Sequence, residues 1–143
     1  MTQYGEMIWG NDNIKNRIVR LQKCAGRLIL GAENNTPSVE LFKTLRWQNF
    51  PERVKFHKAL LMYKCMNNIA PVYLSNLFHK NRDILKYHLR SCDTNLLHIP
   101  KAKTEIFKHS FSYSGPKIWN SLDVQKRNAV SVDNFKKLYL KAQ

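Results

Sequence analysis

Apolar residues recur every three or four positions over the first part of the chain, and this spacing restricts the fold more than any other feature. Ile14, Ile18, Leu21, Ala25, Leu28 and Ile29 fall on one face of a helix running from about Asn13 to Leu30. Asn11, Asp12 or Asn13 can cap its start, and Gly31 suits a left-handed end. Gly26 inside it costs roughly 1 kcal/mol relative to alanine, which predicts close packing or tolerance at that point. Thr36 and Pro37 read as the N-cap and first turn of a short helix through Leu45. A third helix runs from Pro51 to about Asn67, with Val54, His57, Leu61 and Cys65 along one side. Pro71 then opens a shorter one carrying Val72, Tyr73, Leu77 and Phe78.

The pattern changes after residue 78. From His79 to Asp93 the chain is dominated by Lys80, Arg82, Lys86, His88 and Arg90, and reads as a mobile basic loop. Leu96 to Ile99 and Glu105 to Phe111 read as short extended pieces, because Phe107, Phe111 and Tyr113 alternate near period two. Ser114-Gly115-Pro116 reads as a turn into a short helix with Ile118, Trp119 and Leu122. Ser131 or Asp133 caps a last helix whose stripe is Val132, Phe135, Leu138 and Tyr139. The expected fold class is therefore mainly α, a small helical domain with room for one short β-hairpin in the last third. Residues 1–143 form a single domain or domain fragment: helical over about 11–78, a basic loop over about 79–93, and mixed short strands and helices over 94–143.

Charge narrows the function. Twenty-four Lys and Arg against ten Asp and Glu give a net charge of +14. Such an excess repels itself and attracts polyanions. Two basic groups stand out as nucleic-acid contacts. One is the helical stripe Arg20, Lys23 and Arg27; the other is Lys80, Arg82, Lys86 and Arg90, continued by Lys101 and Lys103. Phosphates take cations and unstacked bases take aromatic faces, and Tyr87, between Lys86 and His88, is the stacking candidate. Phe107, Phe111 and Trp119 are assigned to the core, and a solvated helix face is the competing reading of the Arg20 stripe.

Catalytic patterns are missing from the sequence. Two-metal phosphoryl chemistry needs carboxylates that share ions, whereas the closest two here, Glu6 and Asp12, stand six positions apart. Five glycines sit singly, without a phosphate loop. His88 and Cys92 lack the paired partners of a structural zinc site, so no cofactor and no metal are expected. Three widely spaced cysteines, Cys24, Cys65 and Cys92, suit free thiols in an intracellular, reducing compartment. The longest apolar run, Ala59 to Tyr63, is far short of the roughly 20 residues of a membrane span.

Several local patterns occur in one order: Tyr4-Gly5 and Trp9-Gly10; Leu21-Gln22-Lys23 with Arg27 to Gly31; Thr36-Pro37-Ser38; Glu52-Arg53 and Tyr63-Lys64. Ala70-Pro71 with Tyr73-Leu74, Leu89-Arg90-Ser91, Phe107 to Gly115, and Trp119-Asn120-Ser121-Leu122 follow. This series resembles the region downstream of the polymerase core in LINE-type, jockey-like non-LTR retrotransposon reverse transcriptases, over nearly the whole chain. The resemblance implies a longer parent whose palm and endonuclease carry the catalytic residues, and an accessory role for this region near template RNA or target DNA. It also implies that Met1 falls inside an element of the parent, so that Tyr4, Ile8 and Trp9 lack their packing partners and the chain is a gene fragment. The chain departs from the family pattern at three positions that bear on packing. Asp123 stands where Pro is common, Lys126 where an apolar residue is common, and Gly26 where alanine is usual.

The resulting expectation is a non-catalytic piece of an RNA-directed DNA polymerase that binds RNA or DNA through basic surfaces, without a membrane partner. The alternatives are a helical interaction module, docking on a polymerase core or self-associating, and a non-functional transposon remnant.

Overall fold

A computed structural model describes residues 12–84 and 96–141. Among the described residues the chain is helical, without a sheet; the only strand-like feature is an isolated antiparallel bridge between Lys80 and Leu97. The helices are α1 (Asp12–Leu30), α2 (Ser38–Thr44), α3 (Phe50–Met66), α4 (Val72–Ser75), α5 (Asn81–Ile84), α6 (Glu105–His109), α7 (Phe111–Asn120), α8 (Val124–Arg127) and α9 (Val132–Leu140). The fold class is mainly α, as the periodicity indicates. The chain divides into two compact units, residues 1–55 and 56–143.

Three helices end in the same way, by a left-handed residue that lets a following amide reach back to a carbonyl five positions earlier. Gly31 takes φ +59°, and the Ala32 amide donates to the Arg27 carbonyl at 3.0 Å. Asn68 takes φ 56° after α3, with the Ile69 amide on the Lys64 carbonyl at 2.9 Å. Arg46 takes φ 51° after α2, with the Trp47 amide on the Phe42 carbonyl at 2.8 Å. The first two follow from residue type, since Gly and Asn tolerate this conformation; Arg46 adopts it against its own preference.

In the first unit α1 packs along a different face from the one its apolar stripe marks. Gly26 is buried against Leu41 and Leu45 of and beside α2. Gln22 lies on the same side, accepting from the Phe50 amide at 3.0 Å and donating to the Gln48 carbonyl at 3.4 Å. Ile14, Ile18 and Ala25 are half-buried, whereas Leu21, Leu28 and Ile29 are exposed. The buried side chains here are Leu41, Phe42, Phe50 and Val54. Helix α2 starts one residue later than expected: Pro37 is its N-cap and makes no side-chain cap bond.

The second unit holds a larger core of Ala59, Met62, Tyr63, Cys65, Phe78, Leu97, Trp119, Leu122, Ala129, Phe135 and Tyr139. Helix α3 is apolar around much of its circumference, so more than the side expected from Val54 and Cys65 is covered: Ala59, Met62 and Tyr63 are the most buried. Tyr63 stacks on Phe135 at 4.7 Å between ring centroids and donates its hydroxyl to the Ala129 carbonyl at 2.7 Å. The single polar atom of a core ring is thereby satisfied. Ser131 caps α9, accepting from the Asn134 amide at 3.2 Å. Phe135 and Tyr139 then enter the core as their spacing predicts.

Two expectations for the last third are corrected. Residues 105–109 form helix α6 and not a strand, and no hairpin occurs among the described residues. Phe107 and Phe111 are four apart, a helical spacing as much as a near-alternating one. Thr104 decides between them by accepting from the Phe107 amide at 3.3 Å, and Glu105 pairs with Lys108. Gly115 and Pro116 lie inside α7 and make no turn. A Cβ at Gly115 would stand 2.6 Å from Met62 Sδ and 3.2 Å from Phe111 Cε2, so this glycine serves the close approach of α7 to α3.

The run Trp119 to Leu122 has a physical role in the packing. Trp119 and Leu122 are buried, while the Asn120 amide takes the place of a neighbouring strand. Its Oδ1 accepts from the Leu97 amide and its Nδ2 donates to the Leu97 carbonyl, both at 2.9 Å. The extended piece at 96–99 is held in this way. Asp123 caps α8 by accepting from the Val124 amide at 2.8 Å, and Lys126 lies 5.5 Å from the centre of the Tyr139 ring.

Candidate nucleic-acid interface

The expected basic stripe on α1 is present, with unequal members. Arg20 is exposed, whereas Lys23 and Arg27 are half-buried, and Arg27 Nε is shielded from solvent without a hydrogen-bond partner. In the second unit the segment read as a loop over 79–93 is structured on its near side. Lys80 bridges Leu97, the His98 amide donates to the His79 carbonyl at 2.9 Å, and the Asn81 amide donates to the Leu96 carbonyl at 3.0 Å. Helix α5 follows and carries Arg82, exposed and 3.5 Å from Asp83. An exposed pair of this kind contributes little to stability and leaves the guanidinium open to other anions. Lys86, Tyr87 and Arg90, with His88 and Cys92, lie outside the described residues, as do Tyr4, Ile8 and Trp9. Lys101 and Lys103 are exposed on the stretch that precedes α6.

A cavity of about 340 Å³ lies within the second unit, lined by Met66, Asn67, Lys80, Trp119, Arg127, Asn128 and Ala129. The structure thus separates the expected basic residues: Lys80 turns into this cavity, while Arg82, Lys101 and Lys103 remain on the surface. Arg127 is the cation that sequence reasoning missed. Its Nε and Nη1 are shielded from solvent and have no hydrogen-bond partner. Nothing local marks it, because Lys126-Arg127 reads as the ordinary basic end of a short helix. It lines the same cavity as Lys80 only because the chain folds back through α8.

Other chemistry-bearing groups are tied into the fold. Lys58 Nζ donates to Ser114 Oγ at 3.2 Å, and Ser114 Oγ in turn donates to the Ser110 carbonyl at 2.8 Å. The hydroxyl proton is therefore directed away from the amine, and the pair links α3 to α7 without preparing a nucleophile. Burial lowers the Lys58 pKa and raises that of the Cys65 thiol. Cys24 is an exposed free thiol and Cys65 a buried one. Among the described residues, no three His, Cys, Asp or Glu side chains cluster as metal ligands, and no helix is long and apolar enough to cross a membrane.

Comparison with protein-family models, with curated proteins and with solved structures found no match to this chain.

Proposed function

We propose that this chain is a non-catalytic C-terminal part of a LINE-type retrotransposon reverse transcriptase, binding RNA or DNA through basic surfaces inside the cell. The observation that carries the binding reading is the +14 charge, displayed in part on exposed Arg20, Arg82, Lys101 and Lys103. A protein that neutralises phosphates with such residues releases counterions and gains affinity without reading bases. The polymerase assignment rests on the ordered motifs from Leu21-Gln22-Lys23 to Trp119-Asn120-Ser121-Leu122. In this reading the parent's polymerase core supplies the catalysis.

The test is fluorescence anisotropy with labelled single-stranded RNA and duplex DNA. Changing Arg82→Ala together with Arg90→Ala weakens both about equally across sequences, because phosphate contacts carry no sequence information. Unchanged affinity in that double variant removes the 80–90 segment from the interface. A second reading, an interaction module, is favoured by exposed Leu21, Leu28 and Ile29 on α1. Under it, the chain sediments as a larger species at higher concentration, and Leu21→Ser with Leu28→Ser restores the monomer.

A further inference from the structure

We infer that the outward face of α1 docks an acidic amphipathic helix of a protein partner, whose carboxylates meet Arg20 and Arg27. The inference deepens the interaction-module reading and rests on it. It stands apart from nucleic-acid binding through Arg82, Lys101 and Lys103.

The two sides of α1 have different fates. Gly26 is buried against Leu41 and Leu45, which fixes the inward side. On the outward side Arg17, Leu21, Cys24 and Leu28 follow one another at alternating spacings of four and three, and all are exposed. Leu21 and Leu28 are 68% and 84% exposed. This alternation averages about 3.5 residues, the repeat that keeps one seam against a second helix. In that register Leu21 and Leu28 are core positions, with Cys24 the small core position between them. Arg20 and Arg27 are the flanking positions on one edge; Ile18 and Ala25, both half-buried, form the other.

Charge selects the partner. Helix α1 carries Lys15, Arg17, Arg20, Lys23 and Arg27 against Asp12 alone. Flanking charges decide which helices pair, and like charges brought together repel. A second copy laid antiparallel sets the Arg20–Arg27 edge against itself. Laid parallel, it sets that edge against the side of Ile18 and Ala25. Neither arrangement neutralises the arginines, whereas a helix with Glu or Asp at its flanking positions does so in either direction. Nucleic acid fits this face less well: phosphates make no use of Leu21 and Leu28, and the helix has no aromatic residue on which a base could stack. A lipid surface takes a broad apolar face with aromatic anchors, and this seam is one helix wide.

The probe is a synthetic peptide of about three heptads, with Leu at its core positions and Glu at its flanking positions, added to the full chain. Two controls accompany it: the same peptide with Lys in place of Glu, and a scrambled peptide of identical composition. The Glu peptide is expected to bind roughly tenfold or more tightly than either control and to gain helicity on binding. It also slows alkylation of Cys24, the exposed thiol at the centre of the seam, as read by peptide mass after digestion. Leu21→Ser with Leu28→Ser lowers the affinity by roughly tenfold or more, and Arg20→Glu moves the preference toward the Lys peptide. The scrambled peptide and the Cys24 readout use the unsubstituted chain, so they do not depend on variants folding. Equal binding of the Glu and scrambled peptides, with Cys24 unprotected, reduces the attraction to bulk charge and overturns the inference. Self-association that buries Cys24 without any binding of the Glu peptide overturns the acidic partner and leaves the interaction-module reading standing. Protection of Cys24 by single-stranded RNA or by phosphatidylserine vesicles, and not by the Glu peptide, overturns both.

Discussion

Along α1 in the first unit, Leu21, Leu28 and Ile29 are 68%, 84% and 60% exposed; along α9 in the second, Phe135 and Tyr139 are 0% and 7% exposed. Both helices carry apolar residues at helical spacing, so periodicity alone does not separate them. The difference lies in what the rest of each unit offers. In the second unit α9 meets Tyr63, whose ring stacks on Phe135 and whose hydroxyl finds a carbonyl. In the first, α1 is held instead through Gly26 and Gln22, and much of its apolar stripe is left outside. Apolar spacing therefore identifies a face that can be buried, and packing partners decide whether it is.

The largest test of this contrast is truncation of the two stripes. Phe135→Ala is expected to cost about 3–5 kcal/mol in denaturant unfolding, because it removes a fully buried ring and leaves a cavity. Leu28→Ala, at the exposed end of α1, is expected to change stability by less than about 0.5 kcal/mol. A comparable loss at Leu28 would mean that the α1 stripe is covered in the folded protein, and the comparison would break.

Next come the two helical glycines, for which opposite signs are expected. At Gly26 a Cβ would meet Leu45 Cδ1 at 3.4 Å and Leu41 Cβ at 3.8 Å, ordinary contact distances. Gly26→Ala is therefore expected to stabilise by about 0.5–1 kcal/mol through helix propensity. At Gly115 the new methyl would meet Met62 Sδ at 2.6 Å, and Met62 is itself fully buried. Gly115→Ala is expected to destabilise by about 1–2 kcal/mol, overpacking outweighing propensity. Thermal midpoints of the two variants check both signs, and stabilisation at position 115 would show that α3 and α7 have room between them.

The smallest effect concerns Lys58, whose pKa is lowered by burial from its ordinary 10.5. Below the lowered folded value both states are protonated, and burying the ammonium costs stability. Between that value and 10.5 the unfolded chain binds more protons, so stability rises with pH across that window. Lys58→Met is expected to remove this rise, as measured by urea midpoints on the alkaline side of neutrality. A rise that survives the substitution would assign it to another group.

Much of the fold is legible because local chemistry and tertiary packing agree. Gly31 and Asn68 end helices where their backbone preferences permit, Ser131 caps α9, and Phe135 and Tyr139 lie on its buried face. Misreadings arise where one residue type has two physical uses. Gly115 with Pro116 suggests a turn, yet the glycine is needed for close helix contact. Phe107, Phe111 and Tyr113 fit a strand until Thr104 caps a helix instead. Lys80, Arg82, Lys101 and Lys103 are singled out by charge alone, but charge does not show that Lys80 turns inward while the other three stay on the surface. Arg127 is not singled out in this way, since donor satisfaction is a property of the folded chain.

The central claim is that the positive charge constitutes a nucleic-acid surface, and its most direct test is affinity for labelled single-stranded RNA as a function of salt. The account predicts that log affinity falls linearly with log salt, by roughly 0.7 per phosphate contacted on a single strand, with a slope indicating several contacts. No measurable binding at low salt, or binding insensitive to salt, would contradict it.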